Sequence, residues 1–149
     1  RVAARLQAQP GIWVEIDPDH LRQVLWNLLT NAAEAIAGPG EIRVELSPAG
    51  PRQACLKVAD SGQGMTPETL RSIFDPFFST KPSGTGLGLS IVQRILDACG
   101  CRLDVESEPG RGTTFTIHLR RTDPPSDPHR RPQANAASPR CGGPSAHPA

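Results

Sequence analysis

Three glycines at alternate positions stand immediately before a helical pattern, in the stretch KPSGTGLGLS of residues 81–90. Glycine disfavours a helix start unless the backbone has to stay bare. Free backbone N–H groups at a helix N-terminus bind anions, because the helix dipole also favours negative charge there. The pattern therefore predicts a phosphate site. Its donors would be bare backbone, two hydroxyl groups and one ammonium group: Gly84, Gly86, Gly88, Ser83, Thr85 and Lys81.

Known phosphate loops do not match this stretch. The Walker pattern GxxxxGK[ST] is absent, and a proline-containing segment stands where a dinucleotide-binding loop needs a strand. The VAIK, HRD and DFG motifs of protein kinases are also absent. On its own the glycine stretch is equally consistent with a tight turn.

Two asparagines form a second candidate cluster. Asn27 and Asn31 lie ~40° apart on a predicted helix, at the border of its apolar stripe. Such a pair is consistent with a helix-packing contact. It is also consistent with a magnesium site, because Mg²⁺ takes few oxygen ligands from protein and the rest from phosphates and water.

A third cluster, Asp60-Ser-Gly-Gln-Gly64, follows an apolar strand pattern. It is either an ordinary turn or a purine site. A carboxylate only accepts hydrogen bonds, so it suits the 6-amino group of adenine. Guanine presents an oxygen at that position, and two facing acceptors in a dry pocket cost ~2 kcal/mol or more. Asp60 would then select ATP over GTP.

The elements that must position these groups follow from hydrophobic periodicity. A helix is predicted over residues 18–37, with Asp17 as N-cap, and a second long helix over residues 87–99. A short helix is predicted from Pro67, a short strand over residues 12–16, and two hairpins over residues 41–59 and 102–119. We expect an α/β (α+β) two-layer sandwich, with a mixed, mostly antiparallel sheet and helices on one face.

Composition sets the boundaries of this unit. Residues 122–149 contain no Val, Ile, Leu, Met, Phe or Trp, so we expect a disordered Pro-rich tail after a domain over residues 12–121. Residues 1–11 are interpreted as a linker from a missing N-terminal region, since the chain begins at Arg1. The four cysteines lack zinc spacing and indicate free thiols in a reducing cytoplasm. The formal net charge of +1 does not favour nucleic acid, and no segment predicts direct membrane contact.

Taken in order, five motifs resemble one family. They are QVLWNLLTNAAEA (23–35), DSGQGM (60–65), IFDPFFSTK (73–81), GTGLGLS (84–90) and GRGTTF (110–115). The chain is similar to the ATP-binding catalytic domain of bacterial sensor histidine kinases, whose superfamily includes gyrase, the mismatch-repair ATPases and the heat-shock chaperone. The resemblance implies a Bergerat-type ATP-binding fold with ATP and Mg²⁺ as cofactors.

The resemblance also assigns roles to residues. It implies that Asn31 binds Mg²⁺, that Asn27 lies beside the phosphates and that Lys81 reaches the γ-phosphate; these three are the expected catalytic residues. Asp60 and Thr113 are implied at adenine. Further residues are implied around the nucleotide, among them aromatic anchors of a lid over residues 78–85 that is mobile without nucleotide: Gly62, Gly64, Met65, Phe74, Phe77, Ser83, Gly84, Thr85, Gly86, Leu87, Gly88 and Leu89.

The implied function is transfer of the γ-phosphoryl group of ATP to a histidine in two-component signalling. The histidine would lie on a dimerisation hairpin of the same parent protein that is absent from this chain, and a response regulator would act downstream. Gyrase-type ATPases carry a Glu where this chain has Asn27, and an amide cannot take a proton from water, so we expect little hydrolysis. The alternatives are a regulatory nucleotide-binding module and an anti-sigma-factor-type serine kinase. Whether the parent protein is membrane-anchored is left open.

Overall fold

The computed structural model describes residues 1–82 and 84–125. The strands and helices follow one another as β1 (Val2–Ala8), α1 (Pro18–Ala35), β2 (Gly40–Pro48), β3 (Gln53–Asp60), α2 (Pro67–Ser72), α3 (Gly88–Ala98), β4 (Arg102–Glu108) and β5 (Gly112–Arg120). The predicted helices and hairpins are present, with ends that differ from the predictions by one or two residues.

Local sequence explains where α1 begins. The Asp17 carboxylate accepts hydrogen bonds from the backbone N–H groups of Asp19, at 2.8 Å, and His20, at 3.4 Å. Pro18 occupies the first helical position, where its missing N–H group removes no hydrogen bond. The helix places Val24, Leu28 and Ala32 on one buried face.

The five strands form one sheet in the order β1-β2-β3-β5-β4. The strands β2, β3, β5 and β4 pair antiparallel, and β1 adds to β2 in parallel. In this register Asp60, the last residue of β3, pairs with Thr113 at the start of β5. The sheet therefore brings two predicted adenine-binding residues side by side.

The core lies between the helices and one face of the sheet. The described residues buried there come from α1, α3, β3, β5 and the end of α2: Val24, Leu28, Val92, Leu96, Leu56, Val58, Phe115, Ile117, Leu119 and Ile73. Alternation along the strands sends polar side chains to the opposite face. The expected two-layer α/β sandwich with a mixed, mostly antiparallel sheet is confirmed.

The N-terminal segment differs from the prediction in structure. Residues expected as a linker form β1, an edge strand with all seven residues exposed. No periodic signal marks this segment, because all seven residues are exposed and burial imposes no alternation on them. The predicted strand over residues 12–16 is reduced to a single bridge between Val14 and Arg121. The domain boundaries themselves stay a prediction, and residues 126–149 of the expected tail lie outside the described residues.

Among the described residues, no helix combines the length and the apolar character that crossing a bilayer requires.

Candidate functional site

A cavity of about 350 Å³ opens between α1, the paired ends of β3 and β5, and the loop that leads into α3. Asn31, Asp60 and Gly86, which come from these three regions, all line it. The other predicted residues that line the cavity are Asn27, Gly64, Met65, Lys81, Gly84, Thr85, Gly88, Leu89 and Thr113. Three separate sequence motifs thus share one concave surface.

Asp60 supplies a half-buried carboxylate to the lining of the cavity. Its Oδ1 atom accepts a hydrogen bond from the backbone N–H of Gly62 at 2.9 Å. Burial raises the pKa of Asp60 above 3.8, and hydrogen bonds from the backbone of Gly62 and Thr113 oppose that rise. The burial that raises this pKa also strengthens a hydrogen bond from a ligand donor.

Thr113 is fixed next to Asp60 by a hydroxyl network. Its side chain is almost fully buried, and its Oγ1 atom lies 2.8 Å from Ser107 Oγ. Ser107 in turn accepts a hydrogen bond from the backbone N–H of Met65 at 2.8 Å. The loop after β3 and the hairpin β4–β5 are therefore connected at the Asp60 side of the cavity.

The helix α1 forms the opposite wall. Asn27 and Asn31 are both partly buried and line the cavity, which agrees with their shared helix face. A side chain added at Gly88 would lie 3.7 Å from Asn27 Oδ1. The carboxamides of α1 therefore stand beside the N-terminus of α3.

The helix α3 begins at the cavity without a side-chain cap. Leu87 is its N-cap and forms no capping hydrogen bond within the described residues. Gly88 and Leu89, the first helical residues, line the cavity. The first N–H groups of a helix have no partner inside the helix, so this end offers donors and a positive dipole to an anion.

The loop between α2 and α3 lines the cavity, and a backbone contact between Phe77 and Gly86 brings two of its segments together. The backbone N–H of Phe77 donates to Gly86 O at 2.9 Å. Both residues have positive φ, 67° for Phe77 and 70° for Gly86, and a side chain at Gly86 would overlap the Phe77 backbone. A non-glycine residue in this conformation stores strain, which is typical of functional loops.

An ion pair connects this loop to α1. Lys81 Nζ binds Glu34 Oε2, and both side chains are partly exposed and line the cavity. Glu34 follows Asn31 by three residues on α1, so the pair lies next to the predicted magnesium ligand. In this state Lys81 is engaged by the protein rather than free for a phosphate.

Four predicted residues do not line the cavity: Gly62, Phe74, Phe77 and Leu87. Gly62 is bare for another reason, because an added Cβ would come within 2.5 Å of Ala35 O at the end of α1. The Phe77 side chain is 77% exposed, whereas Phe74 packs against the core. Ser83 lies outside the described residues.

The cavity also contains residues that were not predicted to bind: Thr30, Glu34, Ala35, Gln63, Thr69, Ile73, Phe78, Ser79, Thr80 and Phe115. Phe78 packs against the core and lines the cavity, which is the anchoring position expected for Phe77. The run Phe77-Phe78 offered two aromatic candidates, and the sequence did not distinguish them. Thr30 and Glu34 lie four residues apart on α1, beside Asn31. That helical spacing is the signal that could have identified them.

These groups suit one elongated anionic ligand with a hydrogen-bond donor at its far end. A carboxylate acceptor occupies one end, and backbone donors, amide oxygens and one lysine occupy the other. The cavity volume lies within the range of ~300–1,000 Å³ that is usual for small-molecule sites.

Comparisons with known proteins agree with this geometry. Residues 16–123 match the family of histidine kinase-, DNA gyrase B-, and HSP90-like ATPases. The chain is 47% identical over 119 residues to sensor histidine kinase ZraS of Klebsiella oxytoca, covering 79% of this chain and 26% of that protein. It is 43% identical over 106 residues to signal transduction histidine-protein kinase AtoS of Escherichia coli K12, covering 71% of this chain and 17% of that one.

Solved structures are similar as well. A mycobacterial sensor histidine kinase, MprB, superposes with a TM-score of 0.73 at 29% identity, covering 82% of this chain and 83% of that one. Full-length ShkA in complex with AMPPNP gives a TM-score of 0.71 at 30% identity, covering 83% of this chain and 27% of that one. The chain thus spans about a quarter or less of the length of the two curated relatives.

Proposed function

Since the chain belongs to the family of histidine kinase-, DNA gyrase B-, and HSP90-like ATPases, we propose that it binds Mg-ATP and donates the γ-phosphoryl group to a histidine of its parent protein. The observation that supports this most is the shared cavity of Asp60, Asn31 and the N-terminus of α3. An acceptor for a purine amino group and donors for phosphates therefore face the same space.

The proposed adenine site consists of Asp60 and Thr113. The Asp60 carboxylate would accept the 6-amino group, and Thr113, held by Ser107, would fix the other edge of the base. Gly64 and Met65 would complete the surface around the base. AMPPNP bound to full-length ShkA, a structural relative, supports a nucleotide ligand.

The proposed phosphate site consists of the start of α3 and the loop before it. Gly84, Gly86 and Gly88 would present backbone to the phosphate oxygens, with Thr85 and Ser83 as hydroxyl donors. Asn31 would hold Mg²⁺ through its carboxamide oxygen, and the ion would neutralise charge on the phosphates.

Lys81 would contact the γ-phosphate after leaving Glu34. Replacing Glu34 by a phosphate as the partner of Lys81 would be electrostatically favourable, because a phosphate carries more negative charge than one carboxylate. Catalysis in this proposal is positioning and charge neutralisation, which is the usual contribution of a protein to phosphoryl transfer.

Transfer to a histidine is favoured over hydrolysis by the groups near the phosphates. Asn27 occupies the position that would hold a base for water, and its amide cannot accept a proton. Glu34 is the nearest carboxylate and is paired with Lys81. A water in this cavity would therefore lack an activating base among the residues named here.

The acceptor in this proposal lies on a helical hairpin of the parent protein, and a response regulator receives the phosphoryl group afterwards. The catalytic unit comprises residues 12–121, works in the cytoplasm, and needs neither nucleic acid nor direct membrane contact. The sensor kinases among its relatives support this setting.

A transfer experiment tests the proposal. The 149-residue chain is mixed with the purified acceptor hairpin of the parent protein and labelled ATP, with and without Mg²⁺. We expect acid-labile, base-stable label on the hairpin histidine and little free phosphate. ATP binding without label would favour a regulatory module, label on serine a serine kinase, and rapid phosphate release an ATPase; each of these results would overturn the proposal.

A further inference from the structure

The sheet face opposite the helices carries a cluster of three polar side chains outside the nucleotide cavity. Cys55 lies on β3, His118 on β5 and Asp104 on β4. Cys55 and His118 are direct cross-strand partners, and Asp104 pairs with Thr116, the next outward-facing residue of β5. The register of three adjacent strands therefore fixes the order Cys, His, Asp across the face.

The three side chains are connected by hydrogen bonds. The Cys55 Sγ atom lies 3.6 Å from His118 Nδ1, and His118 Nε2 lies 2.7 Å from Asp104 Oδ2. A carboxylate only accepts, so it favours the proton on Nε2 and leaves Nδ1 as the acceptor for the thiol. Hydrogen bonds from His118 and then Arg102 lower the pKa of Asp104, so this carboxylate is ionised at neutral pH.

This arrangement is that of a thiol with its own base. An imidazole whose far nitrogen is held by a carboxylate can take a proton from an adjacent nucleophile and stabilise the charge that results. Thiols without such help are only a few per cent ionised at pH 7 and react slowly with disulfides.

The cluster is reachable from solvent and has cationic neighbours. Cys55 is partly exposed, and the His118 side chain is 26% exposed. Lys57, two residues along β3, and Arg120, two residues along β5, lie on the same face by strand alternation and are exposed. Carboxylates lie beside both cations, because Glu45 pairs with Lys57 across the strands and Arg120 lies 3.8 Å from Glu15, so the face carries mixed charge.

We propose that Cys55 is a thiol-modification site that reacts with small disulfides. The thiol proton passes to His118 Nδ1, and Cys55 Sγ attacks one sulfur of the disulfide. An S–S bond forms to Cys55, the original S–S bond breaks, and the departing thiolate takes the proton from His118. Cys55 is oxidised to a mixed disulfide while one equivalent of the small disulfide is reduced to a thiol.

Metal binding explains the cluster less well. Within residues 1–82 and 84–125, no group of three or more His, Cys, Asp or Glu side chains is arranged to hold a metal ion. Asp104 binds His118 Nε2, the imidazole nitrogen on the side away from Cys55. The carboxylate and the thiol therefore do not point toward one common ion.

The chain offers an internal control. Cys99 Sγ lies 3.9 Å from His20 Nδ1, so this thiol also has an imidazole neighbour. The hydrogen bonds of the described residues give the His20 ring no carboxylate partner, in contrast to His118. The two thiols therefore separate the effect of a nearby imidazole from that of an imidazole oriented by a carboxylate.

The test uses two single-cysteine forms of the full chain. One keeps Cys55 and carries Cys99→Ser, Cys101→Ser and Cys141→Ser; the other keeps Cys99 and has the remaining three replaced. The probes are 5,5′-dithiobis(2-nitrobenzoate) and oxidised glutathione, followed by absorbance and by intact mass at pH 7. Circular dichroism and Mg-ATP affinity show whether each variant folds, since the cluster lies outside the nucleotide cavity.

We expect Cys55 to react about tenfold faster than Cys99, a factor within the gain that full ionisation of a thiol would give. His118→Gln in the Cys55 form should remove about that factor. Asp104→Asn should remove part of it, and Asp104→Glu should restore it, which a purely structural role would not explain. Equal rate constants for Cys55, Cys99 and the His118→Gln form, in folded proteins, would overturn the proposal.

Discussion

The floor of the cavity and the loop that covers it are built on different physical principles. The floor consists of Asp60 and Thr113 on paired strands and Asn31 on α1, all attached to the buried core. The described residues of the loop, 74–82 and 84–87, have few backbone hydrogen bonds, among them Phe77 N–H to Gly86 O at 2.9 Å and Gly84 N–H to Lys81 O at 3.2 Å.

Under the proposed function, this difference would separate recognition of the base from recognition of the phosphates. The floor has its final geometry once the domain folds, so the Asp60 carboxylate costs no ordering when ligand binds. The loop has few buried contacts, and segments of this kind open easily. Contacts with a ligand would therefore supply a larger share of the free energy that orders the loop. Substitutions in the floor should therefore change affinity and selectivity, and substitutions in the loop should change ordering.

The largest expected effect is at Asn31, the floor residue on α1. Asn31→Ala should lower the affinity for Mg-ATP at least ~100-fold, since it removes a ligand of about 3 kcal/mol while leaving the fold intact. Isothermal calorimetry with and without Mg²⁺ measures this. Gln23→Ala, at an exposed position of the same helix that does not line the cavity, is the matched control and should bind normally. Unchanged affinity in Asn31→Ala would refute the magnesium assignment.

Asp60→Asn should cost ~30-fold in ATP affinity and remove selection against GTP, because an amide offers a donor to the purine oxygen. Competition between ATP and GTP, followed by calorimetry, checks both parts. The control is Gln53→Ala, an exposed residue at the start of the same strand that does not line the cavity. Retained preference for ATP in Asp60→Asn would show that the base is read elsewhere.

The same carboxylate predicts a pH dependence. Burial raises the pKa of Asp60 above 3.8, so the folded state holds its proton more tightly than the unfolded state does. Its contribution to stability is complete below pH 3.8 and is lost as the pH rises through the folded pKa. ATP affinity should change in the opposite sense and fall as Asp60 is protonated. Calorimetric titrations and thermal unfolding over that acidic range measure the two trends, and Asp60→Asn should flatten both.

Two alanine substitutions in the glycine loop distinguish strain from contact with ligand. Gly86→Ala should cost about 1–3 kcal/mol locally, because φ is 70° and the new Cβ overlaps Phe77, and ATP affinity should fall about tenfold. Gly88→Ala meets its nearest described atom at 3.7 Å, so the fold should be unaffected and any loss of affinity reports a phosphate against α3. Thermal unfolding without nucleotide and calorimetry with ATP separate these causes; equal unfolding temperatures with equal affinity losses would contradict the distinction.

The smallest effect is expected at the ion pair. Glu34→Gln frees Lys81 and removes a negative charge near the phosphates, so ATP affinity should rise about twofold, as expected for a pair that is partly exposed. Hydrogen exchange over residues 78–82 should become faster without nucleotide and return to the parent level with ATP. Glu34→Asp, which keeps the charge, is the control. A fall in affinity would instead assign Glu34 a direct role at the cation or phosphates.

The sequence predicted the floor well and the loop less well, for a physical reason. Asp60, Asn31 and Thr113 lie on elements whose periodicity follows from burial, so their faces could be deduced or carried over from the motifs. The arrangement of Phe77, Phe78 and Lys81 depends on one strained turn and one ion pair between segments far apart in the chain. Neither leaves a periodic signal. The edge strand β1 was missed because its residues are all exposed.

The register of β3 and β5 has a practical consequence. Cys55 and Asp60 are five residues apart on β3, as are His118 and Thr113 on β5, so each strand presents one pair of these groups to opposite faces. At ~3.3 Å per residue the Cys55 thiol stands ~16 Å from the Asp60 carboxylate along the strand. A fluorophore attached at Cys55 would therefore sit on the far side of a single rigid layer, close enough to sense the arrival of nucleotide and too far to obstruct it.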